Sequence, residues 1–386
     1  MKLITTVVLA FPLLLAGCAT SLPITAVSPE QQARLLDGSA LRPGGATPLR
    51  LPDDDVLGLS EEMKQFAKAA TAGSRTEAER LQALLEAVLK PDGLDIQYNP
   101  EASFTARQVF NSRQANCLSF TTLVIAMARY LGINAVFNEV EVPPVWGLQN
   151  SNILVLYRHV NALVRLRGAQ SKIVDINLAD YDTSYKQRRI PDRLAVAQYY
   201  NNRAIALLEQ ERYEDSLRYL AKALSLEPGV SYLWSNLGAL YRRAGRPEAA
   251  ELAYRNALEK DPGDMLAISN AARLYRFLGD IERAQVLEKK VKYYRERNPY
   301  YQYHMALTAF LAKDYPRARD FVTTAIHIYP REHRFYFLLG AIYQLTGETD
   351  LARRNLDKAI ELATDQQQIS RYRRKFDMLL SDPPAG

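Results

Sequence analysis

Two side-chain types are scarce enough in this chain to be informative. Cysteine occurs twice and histidine four times in 386 residues. Cys18 closes an apolar N-terminal run, which leaves Cys117 as the thiol available for chemistry. His159 stands apart from His304, His327 and His333, which all fall in the C-terminal half. A thiol, an imidazole and a carboxylate together make a nucleophile. The sulfur attacks a carbonyl carbon, the imidazole takes and returns a proton, and the carboxylate fixes the ring's orientation. Asp175 follows His159 by sixteen residues and is the carboxylate placed to do this; Asn177 shares its alternation and is the other candidate orienter. There is no phosphate-binding glycine loop, no histidine pair at metal spacing and no CxxC, so neither a metal nor a cofactor is expected.

These side chains need particular elements to hold them. Asn116 is a good N-cap, and the apolar periodicity after it predicts a helix running to Leu131. Cys117 then sits in the first turn, where the positive end of the helix dipole favours the thiolate and a backbone N–H can help hold an oxyanion. Cys117, Phe120, Val124 and Leu131 share one helical face, which directs the sulfur inward. Helices are also expected over 61–72 and 77–89. Beyond Gly132 the pattern alternates. Asn134–Val142, Arg158–Arg167 and Lys172–Asn177 read as strands, with His159, Asn161 and Leu163 on one face of the second. A hairpin turning at Arg167-Gly168 sets His159 opposite Asp175.

The segments Asn116-Cys117-Leu118-Ser119-Phe120, Arg158-His159-Val160-Asn161 and Ile173-Val174-Asp175-Ile176-Asn177 resemble the transglutaminase-like superfamily over about residues 95–180. In that family Cys lies on a helix, His on a strand and Asp on the next strand. The resemblance implies an α+β transglutaminase-like domain with a papain-like core, here over 56–190, with Cys117 as nucleophile, His159 as base and Asp175 as orienter. It implies cysteine-dependent hydrolysis of an amide or peptide bond, or acyl transfer. Some family members have lost activity, so a non-catalytic scaffold of the cell envelope is the alternative.

Residues 191–382 read as an all-α solenoid. With Trp234 at position four of a 34-residue unit, Gly238, Tyr241, Ala250, Tyr254, Ala257 and Pro262 fall at positions eight, eleven, twenty, twenty-four, twenty-seven and thirty-two. These are the signature positions of the tetratricopeptide repeat (TPR), which the chain resembles in five units: 197–230, 231–264, 265–298, 299–332 and 333–366. Small residues at eight and twenty let paired helices approach, and proline at thirty-two stops the second helix. Glu296 and Thr364 depart from that proline. A final amphipathic segment near 367–380 is expected to cap the stack. On this register Gln198, Asn201, Tyr232, Arg242, Arg273, Arg276 and Tyr303 line a concave groove. Arginines beside tyrosines suit an extended protein or peptide ligand carrying carboxylates.

The N-terminus sets the compartment. Met1-Lys2, the apolar run Leu3–Leu15 and the ending Leu15-Ala16-Gly17-Cys18 resemble a bacterial lipoprotein signal with its lipobox. The resemblance implies removal of residues 1–17 and acylation of Cys18. With Ala19 next, it also implies a membrane anchor in the outer membrane of a Gram-negative envelope, facing the periplasm. Residues 18–55 are rich in proline and glycine and read as a flexible tether, with a short helix expected within it around Pro29–Leu36. In such an oxidising compartment Cys117 has no internal disulfide partner. The net charge of +6 is small against 49 basic and 43 acidic residues and is spread along the chain, which gives no nucleic-acid footprint.

Overall fold

The computed structural model describes residues 26–42, 49–142, 145–147, 150–155, 158–168, 170–176, 185–363 and 366–381. Cys18, the signal segment and Asn177 lie outside the described residues.

Helix α1 (Pro29–Leu36) starts on a capping box in which Ser28 and Gln31 satisfy each other's amides. It does not hang free. Leu35 is 1% exposed, its carbonyl accepts from the Tyr241 hydroxyl at 2.5 Å, and Gln32 donates to Asn256 at 3.1 Å. Further along, Arg42 pairs with Glu214, Asp53 with Lys222, and the Asp54 amide donates to the Tyr200 hydroxyl at 2.9 Å. The described residues before 56 therefore form a strap along the solenoid, which corrects the tether reading for that stretch. Proline and glycine content reports local stiffness; Val27, Leu35 and Val56 report burial, and they decide the matter.

The N-terminal domain follows: α2 (Glu61–Ala70), α3 (Glu77–Leu89), β1 (Gln97–Tyr98), α4 (Ala106–Ser112), β2 (Gln114–Ala115), α5 (Cys117–Tyr130) and β3 (Asn134–Glu141). After these come β4 (Val145–Gly147), β5 (Asn150–Val155), β6 (Arg158–Arg165), β7 (Ser171–Val174) and β8 (Gln187–Arg189). The main sheet has the order β7-β6-β3-β8, all antiparallel. Val160, Ala162 and Val164 of β6 join Ala135 and Phe137 of β3 in one core with Phe120, Leu123 and Val124 of α5. Thr121 also donates to the Val160 carbonyl at 3.1 Å, fastening helix to sheet.

The repeats are helix pairs: α6 (Asp192–Glu209) with α7 (Tyr213–Leu226), α8 (Ser231–Arg243) with α9 (Pro247–Lys260), and α10 (Met265–Phe277) with α11 (Ile281–Arg297). Then come α12 (Pro299–Leu311) with α13 (Tyr315–Ile328), α14 (His333–Leu345) with α15 (Thr349–Leu362), and α16 (Gln366–Ser381). Close approach within a pair depends on the small residue at position eight. A Cβ on Gly238 would stand 2.4 Å from the Tyr254 ring, which is itself buried. Gly238→Ala is expected to cost about 1–3 kcal/mol by overpacking, read as a lower denaturant midpoint at unchanged slope. Among the described residues, no helix is long and apolar enough to cross a membrane.

Candidate active site

The start of α5 is pinned from several sides. Arg113 ends α4 in a left-handed conformation (φ 59°) and turns the chain through β2 to Asn116. The Asn116 side chain accepts from the Ser119 amide at 2.9 Å and donates to Ser103 at 2.9 Å. The Phe104 amide in turn donates to the Ser119 hydroxyl at 2.8 Å. The cap serves the Ser119 amide, so among the described residues no acceptor meets the Cys117 amide at the helix mouth. The Cys117 side chain is half-buried and the thiol is free.

Strand pairing delivers the other two groups. Ala162 pairs with Val174 and Arg165 with Ser171, so the hairpin centres on Gly168 (φ 86°). This register lies two residues from the one that would set His159 opposite Asp175. Asp175, just beyond β7, instead continues toward Asn161 and meets His159 on the diagonal. A slip of two residues keeps a side chain on its face, whereas a slip of one would have parted the pair. His159 Nε2 is hydrogen-bonded to Asp175 Oδ2, and the Cys117 thiol hydrogen-bonds the same ring. The donor atoms of the three residues lie within 4.8 Å of one another.

Burial on its own pushes the His159 pKa down. The hydrogen bonds and charges of Asp175 and Cys117 outweigh it and raise the pKa to about 10. The ring is therefore an imidazolium at neutral pH, facing a sulfur on one side and a 6%-exposed carboxylate on the other. Cys, His and Asp are also zinc donor types, so these are the residues that could hold a metal.

Polar residues beside the site carry no sequence signal of their own. Asn138 on β3 donates to Asn161 and to Gln187, both at 2.9 Å. The buried Glu139 accepts from Arg188 at 2.7 Å and from Gln198 of α6 at 2.7 Å. Gln198, expected in the groove, thus joins the first repeat to the sheet. A glutamine's side of a helix is read from periodicity, but its partner is a carboxylate 59 residues away.

The expected groove residues divide. The Arg242 charge lies near the buried Tyr254 side chain. Arg273 donates to Asn270 at 2.5 Å, and burial together with the Arg242 charge lowers its pKa. Asn201 accepts from Asn236 at 2.7 Å. Arg276 is paired with Glu288 of α11, so its charge is answered within the chain. Tyr232 is only 8% exposed. The Tyr303 ring packs on Phe335 at 5.1 Å, and burial raises its pKa. Arg242 and Arg273 keep adjacent charge with no carboxylate partner among the described residues.

A family model described as the transglutaminase-like superfamily matches residues 64–144. Tetratricopeptide repeat models match residues 201–264 and 333–366. The first match includes Cys117 and ends before His159 and Asp175. No curated protein matches the chain. Solved structures similar to it include MamA from Desulfovibrio magneticus RS-1 at 17% identity, over 45% of this chain and 96% of that one, with a TM-score of 0.26. YrrB, titled a TPR protein with an unusual peptide-binding site, is 17% identical over 46% of this chain and 92% of its own, with a TM-score of 0.25. PilF of Pseudomonas aeruginosa is 16% identical over 50% and 95%, with a TM-score of 0.27.

Proposed function

We propose that this chain, a transglutaminase-like domain followed by tetratricopeptide repeats, is a membrane-anchored, cysteine-dependent amide-bond hydrolase or acyl transferase of the cell envelope. The repeats hold its protein substrate. The observation that carries this reading is the His159–Asp175 hydrogen bond with Cys117 against the same ring. Asp175 holds Nε2, which leaves Nδ1 for the sulfur and the leaving group.

The chemistry follows from those positions. The Cys117 thiolate attacks the amide carbon, and the electron pair moves to oxygen, which the Cys117 N–H at the helix mouth can hold. The C–N bond then breaks, and the His159 imidazolium gives its proton to the departing amine, leaving a thioester on Cys117. Water or a second amine attacks that thioester while neutral His159 takes its proton, and the sulfur leaves as thiolate. Arg242 and Arg273 suit carboxylates of an extended peptide, and the lipobox-like Cys18 supplies the anchor.

Intact-mass measurement on a chain beginning at Ala19, mixed with peptide amides, tests this reading. That chain keeps every described residue. The expected result is a thioester adduct on Cys117, discharged by water or by an added amine and absent in His159→Ala. Arg242→Ala with Arg273→Ala should weaken adduct formation by acidic peptides and spare the others. Turnover that persists in Cys117→Ala would sink the proposal. Turnover abolished by a chelator would reassign the three donors to zinc.

A further inference from the structure

The third repeat breaks the regularity of the solenoid, and the break is a site. At position thirty-two Glu296 stands where the second and fourth repeats have proline. Nothing stops α11, which runs 17 residues where α7, α9, α13 and α15 run 14. Only Asn298 then separates it from α12. The apolar core divides at this place. One cluster extends to Leu287 of α11, and the next begins at Ala306 of α12.

Beside the break lies a cavity of about 590 Å³. Met265 and Ile268 of α10, Val286 and Tyr294 of α11 and Pro299 of α12 wall it, and Lys289, Lys290 and Arg297 stand among them. Those three cations are exposed, and among the described residues no carboxylate pairs with them. Arg297 lies over the Tyr293 ring at 4.5 Å. An open apolar hollow with exposed cations along it fits a ligand with a hydrocarbon body and an anionic group.

The strap indicates where such a ligand comes from. In the second repeat its N-terminal end rests on Asn256 and Glu259: Gln32 donates to the first, and the Val27 amide to the second at 3.4 Å. One repeat on, thirty-four residues later, the same positions are Lys290 and Tyr293 of the cavity. The strap thus ends one repeat short of the cavity mouth. Cys18 precedes Val27 by nine residues, a span of about 30 Å at full extension. A membrane holding Cys18 lies within that reach.

We infer that the cavity binds an anionic phospholipid of the membrane in which Cys18 is anchored, with an acyl chain inside and the phosphate on Lys289, Lys290 and Arg297. The source of the lipid rests on the anchored reading above; the cavity chemistry does not. Binding there would give the anchored chain a fixed orientation, with the third repeat against the bilayer.

The test is vesicle flotation of the chain beginning at Ala19, with phosphatidylglycerol-containing vesicles against pure phosphatidylcholine. The expected result is binding to the anionic vesicles and not to the zwitterionic ones. K289E/K290E/R297E should weaken it by about 10²-fold, from roughly a fivefold factor for each of the three basic residues at an anionic surface. Val286→Trp fills the hollow and leaves the rim intact, and it should also lose binding. Both variants should keep the melting temperature and Cys117 reactivity of the parent. Equal binding to both vesicles, indifference to charge reversal, or capture of acidic peptides instead of vesicles overturns the inference. Vesicle binding untouched by Val286→Trp overturns the acyl-chain part. The mass of residue 18 in membrane-extracted chain judges the anchor separately, so each reading can fail without the other.

Discussion

Iodoacetamide is expected to alkylate Cys117 of the native chain readily at neutral pH and about 10²-fold more slowly in His159→Ala. The magnitude is that of removing a positioned proton-transfer partner from its nucleophile. Asp175→Asn should act through the ring. Burial already favours the neutral imidazole, and the carboxylate is the first of the groups that oppose it. With the amide in its place, His159 should titrate well below the native value of about 10, and the alkylation profile should move toward that of His159→Ala. A thiol whose rate ignores both substitutions would separate Cys117 from the pair. The same shift makes a stability statement. The folded-state pKa of about 10 lies above the ordinary histidine value of 6.5. Stabilisation by the charged ring is therefore complete below pH 6.5 and is lost as pH rises through about 10. Denaturant midpoints of the native chain should decline across that window, and those of Asp175→Asn should decline less.

Leu35→Ala is expected to destabilise the chain by about 2–4 kcal/mol, the usual cost of truncating a fully buried leucine. Leu35 is 1% exposed and belongs to the same core as Leu81 of α3 and Tyr241 of α8. Its carbonyl is also the partner of the buried Tyr241 hydroxyl, so displacing the strap would strand that group as well. Urea unfolding of the chain beginning at Ala19 checks this. A free tether would leave the midpoint where it was, whereas a strap shifts it by an amount too large to overlook.

Local rules account for what could be read early. Helix-pair packing repeats every 34 residues, because small residues at positions eight and twenty and proline at thirty-two act on neighbours within one unit. Asn116 capping α5 is likewise a contact over three residues. The alternation of β6 placed His159 on a face without knowledge of its partner. The turn at Gly168 sets the pairing two residues away from His159 opposite Asp175, and the period of two in a strand keeps both groups on one face.

The amino-acid sequence by itself determined the repeat register, the capped thiol helix, the order of Cys117, His159 and Asp175, and the lipobox-like start. Each of these is written in spacing along the chain. Tertiary structure alone decided that the proline-rich leader lies on the solenoid, that Gln198 turns to Glu139, that Glu288 answers Arg276, and that the overrun of α11 opens a cavity. Those outcomes depend on surfaces brought together from distant parts of the chain. Shape and charge complementarity there has no period for a sequence to display.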